Sequence, residues 1–180
     1  MIRKCKLLLF LTNLFLSCFI FSAQATERPR VNEVLLPFKK QLQKALVSGM
    51  NEGVVEAISA CKTEAPEIAK SLSKSGTYIG RTSHRLRNLD NASPVWVEPI
   101  LNAYLTNDTD REPRDVLLPG GRTGYVEPII VQPLCTACHG EAITSEVTTR
   151  INELYPEDRA IGFKVGDLRG VFWVELPVEK

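Results

Sequence analysis

The sequence predicts an α+β protein in which helices come first and an antiparallel sheet follows. Up to about Asp110, apolar residues recur at three- and four-residue intervals, as on the buried face of a helix. Beyond it, short apolar runs alternate with glycine- and proline-containing turns, as in hairpins. No internal repeat, low-complexity tract or linker divides the chain. Behind a leader segment about 155 residues remain, enough for one domain with a real core.

The elements follow in order. Asn32 to Ser48 places Leu35, Phe38, Leu42, Ala45 and Leu46 at helical spacing. Asn51 is positioned to cap a second helix with Val54, Ala57, Ile58 and Cys61 on one face. Pro66 is expected to break it and restart a short helix through Leu72, closed by Ser75-Gly76. Ser93-Pro94 reads as a cap with proline at the first helical position. The helix it opens carries Trp96, Ile100, Leu101, Tyr104 and Leu105, with a kink expected at Pro99. Val116-Leu117-Leu118, the turn Pro119 to Gly124, and Tyr125 to Val131 form a hairpin. A short amphipathic helix with Val147, Ile151 and Leu154 comes next. Ile161 to Val165, Gly166-Asp167 and Val171 to Leu176 form a second hairpin.

The N-terminus reads as an export signal. Arg3, Lys4 and Lys6 precede an apolar run from Leu7 to Phe21, and Ala23-Gln24-Ala25 is a small-x-small cleavage site. Thr12 and Asn13 interrupt the run, which argues against a retained membrane anchor. Phe15-Leu16-Ser17 is a poor approach to Cys18 for a lipoprotein. The expected organisation is a signal peptide over residues 1–25 and one domain over residues 26–180, exported to the periplasm. The leader carries three of the 22 basic residues and none of the 21 acidic ones, leaving a mature balance of −2. That gives no electrostatic case for nucleic acid or an anionic membrane.

Cys135-Thr136-Ala137-Cys138-His139 is the CxxCH attachment sequence for c-type haem. Two thiols at this spacing reach the two vinyl groups of one porphyrin, and the adjacent histidine can ligate the iron. Gly140 lets the chain turn away. A zinc site drawn from Cys61, Cys135, Cys138 and His84 or His139 lacks a second short-spaced ligand pair. A thioredoxin-like dithiol lacks a βαβ pattern around the motif. Either leaves the adjacent histidine as a coincidence. One haem c, covalently attached, is the cofactor the motif implies. The helices-then-strands pattern is not the all-helical packing of the common small cytochromes c.

Three residues are candidates for the second axial ligand: Met50, Cys61 and His84. Met50 sits in a connection, His84 in a basic polar segment, and Cys61 on an apolar helix face. Cys5 and Cys18 leave with the leader, so Cys61 is the odd cysteine of an exported chain. Composition alone leaves ligation and simple burial of Cys61 both open.

Four segments in this order carry a family resemblance: Ala57 to Ala69 around Cys61, Ile79 to Ser83 with Arg87-Asn88, the CTACHG motif, and Ile161 to Gly170. Together they resemble a family of exported monohaem c-type proteins with a PAS-like sensor fold, over most of the mature chain. The resemblance implies iron held by His139 and Cys61, with Arg81 and Arg87 lining the haem pocket, where arginines commonly meet propionates. Thiolate ligation would favour ferric iron and a low potential.

Three functional classes are compatible with this reading: an electron carrier, a redox or gas sensor acting through a partner protein, and a peroxidase-like enzyme. The last needs a distal acid-base group that only His84 could supply. The expectation is a non-enzymatic electron-transfer protein, matured by haem-attachment machinery and served by a redox partner protein. Sensing is the alternative.

Overall fold

The computed structural model describes residues 24–178. The leader expectation therefore lies outside the described residues, apart from Gln24 and Ala25, which open the first helix. Helices α1 (Gln24–Glu52) and α2 (Val54–Leu72) form an antiparallel pair joined at a single residue. Asn51, expected as a cap, is still inside α1. The break falls at Gly53, whose φ of 149° suits only glycine, and whose N–H still donates to Gly49 O at 2.9 Å. Gly49 lets the helices close, because a Cβ there would stand 2.6 Å from the Ala57 Cα.

Pro66 does not divide α2, contrary to expectation. Interior proline costs roughly 3 kcal/mol. The apolar face nevertheless continues in register through Ile68, Ala69 and Leu72, which pack on the core beneath α1. Tertiary packing outweighs the local penalty.

Helix α3 spans Glu98–Thr106 and is reached through a turn in which Val97 N donates to Pro94 O at 2.8 Å. The Ser93 hydroxyl donates to the Pro94 carbonyl instead of capping. Pro99 lies in the first turn, where its missing N–H is no loss, so it starts the helix and does not kink it.

Four strands, β1 (Tyr78–Thr82), β2 (Arg114–Leu118), β3 (Arg122–Ile130) and β4 (Leu168–Leu176), form one antiparallel sheet in the order β1-β4-β3-β2. The α+β expectation and the β2–β3 hairpin hold. Alternate residues of β4 feed two cores. Val174 and Leu176 join Ile79, Tyr125, Val31, Leu35 and Phe38 under α1, with Phe172 packed alongside. Leu168 and Val171 join Val97, Ile100, Leu101 and Tyr104 of the α3 region.

The second expected hairpin is half correct. Ile161 to Val165 is not a strand; Ile161 and Val165 are exposed, and the backbone there pairs elsewhere. Phe163 N donates to His139 O and Gly162 N to Gly140 O, both at 2.9 Å. This loop is a brace for the CxxCH segment. The motif residues occupy a 3-10 turn, Pro133–Cys135, and a one-turn helix α4, Thr136–His139; α5 follows over Ser145–Leu154. No helix among the described residues is long and apolar enough to cross a membrane.

Candidate functional site

One cavity of about 230 Å³ lies between α1, α2, the inner ends of β1 and β4, and the CxxCH turn. Its wall includes Cys61, Cys135, Cys138 and His139, together with Arg81, Arg87 and Arg169. Phe38, Leu46, Ile58, Ile129 and Phe172 make much of the remainder apolar. Residues from six separate segments of sequence thus face one space.

The motif is held from several sides. Gln132 N donates to the Cys135 Sγ at 3.3 Å, and the Thr136 hydroxyl donates to Pro133 O at 2.7 Å. Both thiols, and that of Cys61, are free. Burial pushes the Cys138 thiol up, with the Arg87 charge opposing. Gly140 has a role more local than expected. A Cβ there would stand 2.5 Å from Thr136 O, so only glycine lets the chain leave the turn this tightly.

The His139 Nδ1 lies 2.6 Å from Ala160 O. A carbonyl oxygen can only accept, so Nδ1 carries the hydrogen and Nε2 keeps its lone pair. Burial, helped by the charges of Arg169 and Arg87, lowers the His139 pKa to about 2, although the bond to Ala160 opposes this. The imidazole is neutral at any physiological pH. That is the protonation state and tautomer a metal-ligating histidine needs.

The arginines divide into two kinds. Arg87 is fully committed: Nε and Nη2 donate to the two Asp158 carboxylate oxygens, each at 3.1 Å, and Nη2 also reaches Cys138 O at 2.6 Å. Both side chains are largely withdrawn from solvent, at 11% and 5% exposure. Arg81, by contrast, has no hydrogen-bond or ion-pair partner among the described residues. Arg169 donates only to Arg85 O, at 3.3 Å. Burial, together with Arg81 and Arg87, lowers the Arg169 pKa to about 9, as expected for a cation in want of an anion. The Thr82 hydroxyl is buried beside them without a partner.

Of the three second-ligand candidates, the fold brings Cys61 and Met50 to the cavity wall. His84 is exposed and lines a separate cleft with Arg85, Asp108, Arg111 and Asp167. Phe163, 1% exposed, separates the two environments. His84 meets its ring edge-on at 5.8 Å and His139 at 6.4 Å. Arg85 lies over the Phe163 ring at 3.6 Å, and Arg169 lies 5.2 Å from its centroid.

Arg169 and Ala160 were not singled out by sequence reasoning as site residues. Arg169 sits within the Ile161–Gly170 segment that carries the family resemblance, without a role of its own there, and between the expected strands of the second hairpin; Ala160 acts through its backbone, which no side-chain pattern reports. Among the described residues no group of three or more His, Cys, Asp or Glu side chains converges as a metal cage. The antiparallel sheet likewise offers no βαβ support for a thioredoxin-like dithiol.

The donor set fits a haem. Two free thiols flank one turn, a neutral imidazole keeps the Nε2 lone pair, a third thiol on α2 lines the same cavity, and two guanidiniums without a carboxylate partner and an unpartnered hydroxyl line it too. A porphyrin with two vinyl groups and two carboxylates matches these requirements.

Comparisons with known proteins agree in extent. The profile of the Tll0287-like family matches residues 20–177. The crystal structure of the cyanobacterial heme-protein Tll0287 is similar with a TM-score of 0.66 and 26% sequence identity, over 84% of this chain and 95% of that one. A search of curated proteins found no match.

Proposed function

Because the chain belongs to the Tll0287-like family, the monohaem c-type, PAS-like family its motifs resemble, we propose that it binds one haem c and serves electron transfer at low potential. The observation that carries this reading is the convergence of Cys61, Cys135, Cys138 and His139 on one largely apolar cavity.

Each residue has a distinct task in this reading. Cys135 and Cys138 form the thioethers. His139 offers Nε2 from one side, its ring fixed by Ala160. Cys61, on α2, would supply a second ligand to the iron, ahead of Met50. Arg81 and Arg169, with the Thr82 hydroxyl, receive the two carboxylates and relieve an otherwise unpaired buried charge. Arg87 lines the pocket, but its fork is occupied by Asp158, so it steadies the motif and does not hold a propionate. When bound, the haem would supply a one-electron iron couple, and thiolate ligation by Cys61 would favour its oxidised form.

The chain acts without catalysing a reaction. A peroxidase-like role needs an acid-base group over the iron, and His84 lines a different cleft. Export to the periplasm, loading there by haem-attachment machinery and exchange with a redox partner protein complete the proposal. Nucleic acid and a membrane anchor on the mature protein have no part in it.

Sensing through a partner protein is a second reading, favoured by one observation. Cys61 shares its wall with the small side chains of Ala57, Ala65 and Ala69, so its departure would open room for a small ligand. The absorption spectrum of the reduced holoprotein with and without carbon monoxide separates the two. No shift supports a closed electron carrier; a clear Soret shift means that Cys61 leaves on reduction and supports sensing.

A further inference from the structure

The brace around Ala160 is built from two residues that touch no cofactor-attaching group directly except through backbone. Asp158 Oδ1 accepts from Ala160 N at 2.9 Å and from Arg87 Nε at 3.1 Å. Arg87 Nη2 donates to Cys138 O at 2.6 Å and reaches Ala160 O at 3.3 Å. The Ala160 peptide is thus gripped at its N–H by Asp158 and at its carbonyl by Arg87. That same carbonyl accepts the His139 Nδ1 hydrogen at 2.6 Å. Arg159 N adds a bond to Leu86 O at 2.8 Å, tying the Asp158 loop to the segment that carries Arg87.

The geometry points to Arg87 and Asp158 as a positioning pair that sets the redox potential by holding the Ala160 carbonyl against His139. The argument rests on the haem reading above. A histidine that gives its Nδ1 hydrogen to a well-placed acceptor becomes a stronger donor through Nε2, which favours oxidised iron. A backbone carbonyl on a loop keeps that placement only if its peptide plane is fixed. The pair fixes it and ties it to the attachment turn, so ring and acceptor move together. A pair of near-zero net charge does this without adding a large field of its own. A bidentate guanidinium–carboxylate contact also has the geometric rigidity the task needs.

This account differs from a purely electrostatic one. If charge alone acted, removing Arg87 and removing Asp158 would move the potential in opposite directions. If positioning acts, loosening either residue weakens the same His139–Ala160 bond and moves it in one direction, upward.

The test uses haem-loaded full-length protein in two variants. Arg87→Gln/Asp158→Asn keeps the net charge and shape while dissolving the ion pair. Arg87→Lys keeps the charge but cannot reach Asp158 and two carbonyls with a planar fork. In both, the midpoint potential is expected to rise, shifting the reduction equilibrium about tenfold towards ferrous iron, which is about 59 mV for one electron. The Nδ1 hydrogen of His139 should also exchange faster with deuterated solvent. An unchanged midpoint and exchange rate in both loaded variants would overturn the proposal and leave the pair a purely structural brace. Failure of both to load haem while the parent loads it also overturns it and assigns the pair to attachment. A parent that carries no haem instead refutes the haem reading.

Discussion

The carbonyl oxygen of Ala160 stands 2.6 Å from the Nδ1 of His139, across 21 residues of sequence. This contact fixes which imidazole nitrogen is free, while burial and the neighbouring Arg169 and Arg87 charges keep the ring neutral against it. It also explains why the Ile161-Gly-Phe segment next to Ala160 is a loop: its backbone braces the attachment turn.

A first prediction concerns acid stability. In haem-free Cys135→Ser/Cys138→Ser protein, His139 has a folded pKa near 2 against an ordinary 6.5. The unfolded chain takes up a proton as pH falls through 6.5, whereas the folded chain does so only near 2. Stability is therefore complete above 6.5 and declines steadily as pH falls below it. Urea unfolding over that range should show the decline, and His139→Gln should flatten its histidine part. An equal slope in both proteins contradicts the burial of a neutral imidazole.

A second prediction separates the axial candidates. Cys61→Ala should alter the ferric spectrum of the holoprotein and raise its midpoint potential, because a thiolate donor is lost. Met50→Leu and His84→Ala should leave both unchanged. Spectroelectrochemistry of the three variants decides it: a Cys61→Ala spectrum identical to the parent's sinks thiolate ligation.

Arg169 should behave oppositely in the two states. Without haem it is a buried cation lacking a carboxylate, so Arg169→Met should stabilise the haem-free protein by on the order of 1 kcal/mol. With haem, the same change removes a carboxylate partner and should make the loaded protein less stable than its parent. Denaturant titrations of both forms read the sign change; the same sign in both would show that Arg169 meets no anionic group of the cofactor.

Gly140→Ala tests the local geometry of the attachment turn. The new Cβ would sit 2.5 Å from Thr136 O, a backbone atom that cannot swing aside. Overpacking of this kind costs about 1–3 kcal/mol. The haem-loaded yield should fall with it, measured as the Soret-to-protein absorbance ratio of the purified protein.

Much of this arrangement was legible in the residues, for identifiable reasons. Helix α1, the front half of α2 and the β2–β3 hairpin have strong periodicity and turn chemistry and are present where they were expected, although α1 runs over Gln24–Glu52, past both expected ends, and takes in Asn51, and β3 already begins at Arg122. Strand β1 was hidden because Tyr78-Ile79-Gly80-Arg81-Thr82 is short and mixes glycine and arginine with its apolar residues. Pro66 misled because local propensity cannot register the packing that keeps α2 whole. At the site, CxxCH is self-announcing, since its chemistry lies in five consecutive residues. The separation of Arg87 from Arg81 is different. Both look like basic residues of one segment, and only the fold reveals that Asp158, 71 residues on, has claimed one of them.

The most direct test of the central claim is to extract protein produced alongside haem-attachment machinery with acidified acetone and record the reduced pyridine haemochrome spectrum of the protein pellet. The account predicts that the haem stays with the polypeptide, shows the spectrum of a porphyrin saturated at both vinyl positions, and is lost in Cys135→Ala/Cys138→Ala. A colourless pellet from the parent, or haem carried off into the acetone, would contradict it.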